Sequence, residues 1–471
     1  MHAESPAPRR QRLLWVGALY FAQGLPLGIF MDLLPVYFRQ QGVDLRQIGV
    51  LGLLGLAWTL KFLWAPAVDA WRGHRRWMLG ANLVMAGCML TLIGLEPDQP
   101  ALWLALAVFA LASASNDIAI DGYTVEKVPR QELGLANGVR IALYRVGMLT
   151  AGALLMASGR IGWAGTFVAA AGLLALLALV CRAAPAEAAR QAPRPRLADL
   201  VPLLRQRRVV CAALALAALL VWLVGRQMQW FGGLADGALA VAAGGLFAIA
   251  ALQPAPAGSA PAAPFASLLA RPYMLAVLAF ALTFKLGDAA MGFMVKPFWV
   301  DAGFGASEIG LISVNVGLVL SVAGGVLGGV LTHRLGIFTA LWSLGLLQAL
   351  SNLGYVYAAD LAATADVPTG VLYAASMVES FTGGLGTGAF LAFLMAVVDS
   401  RQAASEYALL SSLFALSRSL AGFASGFGAQ MMGYRDYFLL TFVLCFPAYA
   451  LLPMVRRALQ AAQQDAPPET P

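Results

Sequence analysis

From Leu13 to Val455 the chain alternates between long apolar runs and short polar interruptions. A helix needs about 20 apolar residues to cross a hydrocarbon core, so each run predicts a membrane-spanning helix. The first six runs are Leu13 to Phe38, Ile48 to Val68, Trp77 to Leu95, Ala101 to Gly122, Leu133 to Ala157 and Trp163 to Cys181. A basic, proline-bearing linker follows, then two further apolar segments, Val209 to Val224 and Leu234 to Leu252, and a second linker, "QPAPAGSAPAAP". Six more runs complete the chain: Tyr273 to Val295, Ile309 to Leu331, Ile337 to Tyr357, Gly370 to Val398, Tyr407 to Met431 and Tyr437 to Val455. The reading is an all-α polytopic membrane protein of about 14 transmembrane helices. It divides into a six-helix half (1–182), linkers flanking an extra hairpin (183–272), a second six-helix half (273–456) and a tail (457–471). The first run follows Arg9, Arg10 and Arg12 as a signal peptide might. It is too long for such a signal and has no small-residue cleavage site before the next span, so it is expected to be a retained helix.

Composition agrees with this reading: of 471 residues 60% are hydrophobic and 12% charged, which leaves no soluble domain of useful size. The net charge of +7 would suggest an acidic or nucleic-acid partner in a soluble chain. Here it follows from topology. With a cytoplasmic N-terminus the outer loops hold only Arg39, Arg46, Arg160, Arg226, Lys296 and Arg435, and most of the other basic residues fall inside. This positive-inside bias predicts both termini in the cytoplasm and no nucleic-acid binding. Four cysteines without CxxC spacing and three scattered histidines imply no metal site, disulfide framework or cofactor.

The two halves resemble each other. "YFRQQGVDLRQIG" (Tyr37 to Gly49) matches "FWVDAGFGASEIG" (Phe298 to Gly310), and each fifth span carries a mid-helix arginine, Arg145 and Arg418. Duplicated halves of this kind place a substrate cavity near the bilayer midplane.

An ionised side chain at the bilayer centre costs roughly 3 kcal/mol or more, so intramembrane charges are functional candidates. Arg145, Lys285 and Arg418 lie about 17 Å along their helices, near the midplane; Lys61 and Arg140 lie elsewhere in the spans. The acids at comparable depth are Asp288 and Glu379, with Asp117 toward the cytoplasm and Asp32 toward the outer end of the first helix. Cations outnumber carboxylates near the centre, which favours an anionic substrate held by Lys61, Arg145, Lys285 and Arg418, with Gln23 alongside. Lys285 and Asp288 share a helix face at i, i+3, as a structural ion pair, a site, or both. Glu379 has no basic neighbour on its own helix and is the preferred proton carrier, with Asp288, Asp117 and Asp32 as further candidates. Asp117 and Asp121, at i and i+4, have no nucleophile or metal partner and so do not make a hydrolase; a gating or cation-pairing role is expected, with Lys61 or Arg145. No other catalytic constellation is present. "GGLGTG" (Gly383 to Gly388) lacks the lysine of a phosphate loop and reads as close helix packing.

"DAWRGHRR" (Asp69 to Arg76) resembles the loop between helices two and three of the major facilitator superfamily. "YFAQGLPL", "KFLWAPAVD", "ASNDIAIDGY", "YRVGM", "FKLGDA", "LQALSNLGY" and "GGLGTGAF" together resemble the AmpG-type muropeptide permeases, grouped with the acetyl-coenzyme A transporters. The resemblance covers both six-helix halves. It implies the major facilitator fold and a bacterial inner-membrane location. It further implies proton-driven import of N-acetylglucosaminyl-anhydro-N-acetylmuramyl peptides for cell-wall recycling, by alternating access of a monomeric functional unit. It also implies a gating role for Asp69, Arg72, Arg75 and Arg76, beside Asp121. Alternatives are a carrier of another anionic metabolite or of drugs, and a transporter-like receptor. Two features depart from the family pattern: Asn116 stands where glutamine is expected, and the central hairpin is additional to the twelve-helix plan.

Overall fold

The computed structural model describes residues 8–61, 64–65, 68, 73–129, 132–185, 271–364, 367–398 and 403–464. The expected hairpin over 209–252, most of both linkers, the end of the tail, Asp69 and Arg72 lie outside these residues. Among the described residues the secondary structure is helical. In chain order the helices are α1 (Arg9–Gln40), α2 (Leu45–Leu60), α3 (His74–Gly94) and α4 (Pro100–Lys127). The long helix Leu133–Ala183 breaks at Gly162 into α5 and α6. The second half holds α7 (Met274–Asp301), α8 (Ala306–Leu335), α9 (Ile337–Thr364) and α10 (Thr369–Ala396). Ala403–Val443 breaks at Gly433 into α11 and the start of α12, which Pro447–Gln464 completes.

The two breaks have one cause. Gly162 has φ 69° and Gly433 φ 76°, a left-handed backbone that glycine enters without a Cβ penalty. Each lies in the gap that the hydrophobic pattern leaves between a fifth and a sixth span.

The chain forms two compact units, Met1–Val43 with Ala57–Pro254 and Asp44–Leu56 with Ala255–Pro471. The division differs from a cut by sequence half in one segment. Residues 44–56 belong with the second unit because Gly49 and Gly52 let α2 lie against the α11 backbone at Gly422 and Phe423, while Gly426 of α11 admits the Leu45 carbonyl.

In the first unit α1 packs on α5 through small residues. A methyl on Gly24 would collide with the Tyr144 carbonyl, and one on Gly28 would meet Ala151. Pro26 lies inside α1 and has no N–H to give to the Ala22 carbonyl four residues earlier. The backbone then widens to a π turn over Ile29–Leu33, which contains Asp32. The Ala22 carbonyl is not abandoned: Asn116 Nδ2 of α4 reaches it at 3.5 Å. Asn116 Oδ1 in turn accepts from Asn82 Nδ2 of α3 at 3.2 Å. Both asparagines are fully buried, so this relay links three helices where water is absent. Around it, Phe30 stacks near Phe109, and Phe38 stacks on Trp103.

In the second unit the expected packing role of "GGLGTG" is seen directly. Gly384 and Gly388 of α10 face Gly324, Gly325 and Gly328 of α8 so closely that a methyl on Gly324, Gly328, Gly384 or Gly388 would strike backbone of the other helix. The core of this unit is aromatic, with Phe284 stacked on Phe390 and Phe280 edge-on to Phe393. Large apolar side chains such as Leu104, Leu275 and Val326 point outward with most of their surface bare, as lipid-facing positions require.

Candidate functional site

Intramembrane charges gather into one cluster in each unit. In the first, Asp117 and Asp121 sit one turn apart on α4, on a single face. Lys61, just beyond α2, spans them: its Nζ is 3.6 Å from Asp117 Oδ2 and 3.5 Å from Asp121 Oδ2. From α5, Arg140 Nη2 is 3.5 Å from Asp121 Oδ1. From α1, the Tyr20 hydroxyl donates to the same oxygen at 2.7 Å, and the Arg140 guanidinium lies 4.8 Å from the Tyr20 ring centre. Gln23 is buried one turn from Tyr20, and its Oε1, like Asp117 Oδ1, has no hydrogen-bond partner among the described residues. The cluster is loose: side chains of Lys61 and Asp121 keep 30% and 32% of their surface, and every ion-pair distance exceeds a short hydrogen bond.

The second cluster is built on a broken helix. α7 runs from Met274 to Thr283, loses its helical path at Phe284 and Lys285, and resumes at Leu286. Lys285 has φ −103° and ψ 8° and caps the new segment, whose first turn carries Asp288. A carboxylate in that position is favoured by the positive end of the helix dipole. Gly287 permits the bend, since a side chain there would run into the Thr441 carbonyl and Cys445 of α12. Lys285 is 2% exposed. Its ammonium donates to Gln348 Oε1 of α9 at 2.7 Å, to the Gly383 carbonyl of α10 at 3.1 Å and to Asp288 Oδ2 at 3.3 Å. An ammonium has three protons, so this one is saturated. Gln348 owes its place to Gly386, where any Cβ would overlap Oε1. Asp288 Oδ1 is buried without a partner among the described residues. An ideal Cβ on Gly383 would lie 3.7 Å from Asp288 Oδ1 and 3.8 Å from Glu379 Oε1, so both carboxylates border one glycine. Ser380 Oγ donates to Glu379 at 3.3 Å.

The structure therefore joins Lys61 to Asp117 and Asp121, and Lys285 to Asp288 beside Glu379. The arginine found beside the α4 carboxylates is Arg140; Arg145 is half-buried on α5. Arg418 is exposed on α11 and does not join the Lys285 cluster, and Asp32 is half-buried in the π turn of α1. Of the loop residues, Arg75 donates to the Arg182 carbonyl at the end of α6, and Arg76 is exposed. At the start of α1, Arg12 makes a two-point pair with Glu132 before α5, Nε at 3.1 Å and Nη2 at 2.5 Å. Sequence reasoning missed Tyr20, Gln348 and the role of Asn116. Only Asn116 had a legible signal, because Pro26 in an apolar helix frees one carbonyl that some neighbour must satisfy.

Apolar helices long enough to cross a membrane, with charge clusters at their cores, define a multi-pass membrane protein. Comparison with known proteins makes the class specific. Residues 16–367 match the family model of the Major Facilitator Superfamily, and the chain belongs to that family. It is 29% identical over 463 residues to the anhydromuropeptide permease of Escherichia coli (strain K12), covering 96% of this chain and 81% of the relative. To a putative transporter, AmpG 4, of Rickettsia conorii it is 24% identical over 458 residues, covering 94% and 95%. The fold is that of a solved bacterial homologue of the human lysosomal transporter Spinster, in an inward-facing and occupied conformation. That match has a TM-score of 0.68 at 13% identity and covers 97% of this chain and 99% of the other. It is likewise that of the POT family transporter PepTSo, with a TM-score of 0.65 at 13% identity, covering 98% and 100%. The chain is thus a multi-pass transporter of the bacterial inner membrane.

Proposed function

We propose that this transporter imports anionic anhydro-muropeptides together with protons, by alternating access, as a monomeric unit with both termini in the cytoplasm. The carrying observation is the likeness to the Escherichia coli permease over nearly the whole chain. The geometry of the residues is compatible with it. Asn116, the departure from the family pattern, is fully buried and spends its amide on Ala22 and Asn82. The departure therefore falls on a helix-to-helix link and leaves the substrate assignment standing.

Coupling rests on the second cluster. Because Lys285 is saturated, a substrate carboxylate must replace one of its acceptors, and Asp288, at 3.3 Å the most distant of the three, is the one to yield. Three negative groups would then gather around Gly383. A proton on Glu379 removes one of those charges, so proton and substrate binding favour each other. In the first unit, Lys61 and Arg140 offer two cations to the substrate, and Asp117 and Asp121 hold them between turnovers; Arg75 and Arg76 belong to the gate.

The test is uptake of labelled anhydro-muropeptide into proteoliposomes under an imposed proton gradient. Gradient-dependent accumulation is expected; transport of a different anion with no muropeptide uptake would overturn the substrate assignment. Glu379→Gln is expected to abolish the pH dependence of uptake, and a variant that keeps it would remove Glu379 from the coupling.

A further inference from the structure

A groove of about 550 Å³ lies between α3 and α4 of the first unit, and no residue of the Lys61 cluster lines it. Its wall on α3 is Gly80, Ala81 and Val84; on α4 it is Val108, Leu111 and Ala112. Val84, Val108 and Leu111 are exposed, which places the opening on an apolar outer surface. From Arg76 to Val84 the groove extends for about 12 Å of helix, close to the depth of one bilayer leaflet. Space exists inside it: a Cβ built on Gly80 meets nothing within 4 Å.

The α3 end of the groove differs from its walls. Arg76 and Trp77 stand there, at the first turn of α3 where the chain leaves the membrane. Arg76 is exposed and has no acidic partner among the described residues. Its neighbour Arg75 is held by a bond from its guanidinium to the Arg182 carbonyl at the end of α6. A tryptophan at headgroup level with an apolar slot below and the exposed Arg76 above has the polarity of a phospholipid.

We propose that this groove binds one anionic phospholipid, its phosphate at Arg76 and one acyl chain along Gly80, Ala81 and Val84. A zwitterionic lipid would fill the slot equally well but would leave the arginine charge uncompensated. A basic residue near an anionic headgroup contributes enough for about a fivefold preference.

The experiment measures lipid adducts on the delipidated full-length protein by native mass spectrometry, offering phosphatidylglycerol or phosphatidylcholine of matched chains. The wild type is expected to retain phosphatidylglycerol about fivefold better, in line with one arginine–headgroup contact. Arg76→Gln is expected to lose that preference and Arg76→Lys to keep it. Gly80→Phe fills the slot and is expected to reduce retention of both lipids. Unchanged phosphatidylglycerol retention in Gly80→Phe would overturn the proposal. A photoreactive benzoylphenylalanine at Leu111 needs no loss of affinity to report the occupant. A phospholipid adduct supports the site; a cross-link to the apolar segment 209–252 of the same chain overturns it in favour of that occupant.

Discussion

The two charge clusters contain the same kinds of groups and differ in how tightly they are held. Around Lys61, two carboxylates meet two cations at 3.5 to 3.6 Å, and all but the buried Asp117 keep much of their surface open. Around Lys285, a single buried cation is closed by three acceptors from three helices, the nearest at 2.7 Å. Exposed pairs at long distance are worth little and can be exchanged cheaply, whereas removing one member of a buried pair strands the other in low dielectric. The first cluster is suited to re-pairing as helices move. The second is suited to a single decision, the replacement of one acceptor by another.

Substitutions test this contrast. Lys285→Ala strips Asp288 of its ammonium and leaves Glu379 with Lys296 as its remaining positive neighbour; it should cost about 3–5 kcal/mol and abolish uptake. A thermal melt in detergent equal to that of the wild type would erase the distinction. Gln348→Leu removes the shortest acceptor and leaves a buried ammonium proton unpaired, for about 1–3 kcal/mol. Its melt should fall between those of Lys285→Ala and the wild type. The smallest effect is expected from Asp121→Asn, below about 1 kcal/mol in stability because its pairs with Lys61 and Arg140 are partly exposed. A double-mutant cycle sharpens the comparison. Coupling between Lys61 and Asp121 should shrink as salt is raised from 0.1 to about 1 M, and that between Lys285 and Asp288 should not.

Legibility in the sequence followed the range of the interactions concerned. Apart from α2, which ends at Leu60 where the predicted run continues to Val68, the helices coincide with apolar runs, and the Gly162 and Gly433 turns fall in predicted gaps. The Lys285–Asp288 pair was visible because i, i+3 spacing is a property of one helix. The break that presents the pair was not, since Gly287 gains its meaning only from the α12 backbone that approaches it. Asp117 and Asp121 were readable as one face. Their tyrosine, Tyr20, was not, lying 101 residues away on another helix. Arg140 and Arg145 illustrate the limit: both are basic and on α5, yet Arg140 is the one seen beside Asp121.

By itself the sequence determined which of the described segments are long apolar helices and where most of them end. In lipid a helix satisfies nearly all of its backbone groups within itself, and that requirement is local. It also determined that several charges would be inside, because their types and depths can be counted along each span. Tertiary structure alone decided which charge meets which. Successive residues on a helix point about 100° apart, so one step of register or a small rotation presents a different side chain to the neighbouring helix. Those rotations are fixed by glycines packed against distant backbone, at Gly24, Gly384 and Gly386, and by the carbonyl that Pro26 leaves for Asn116.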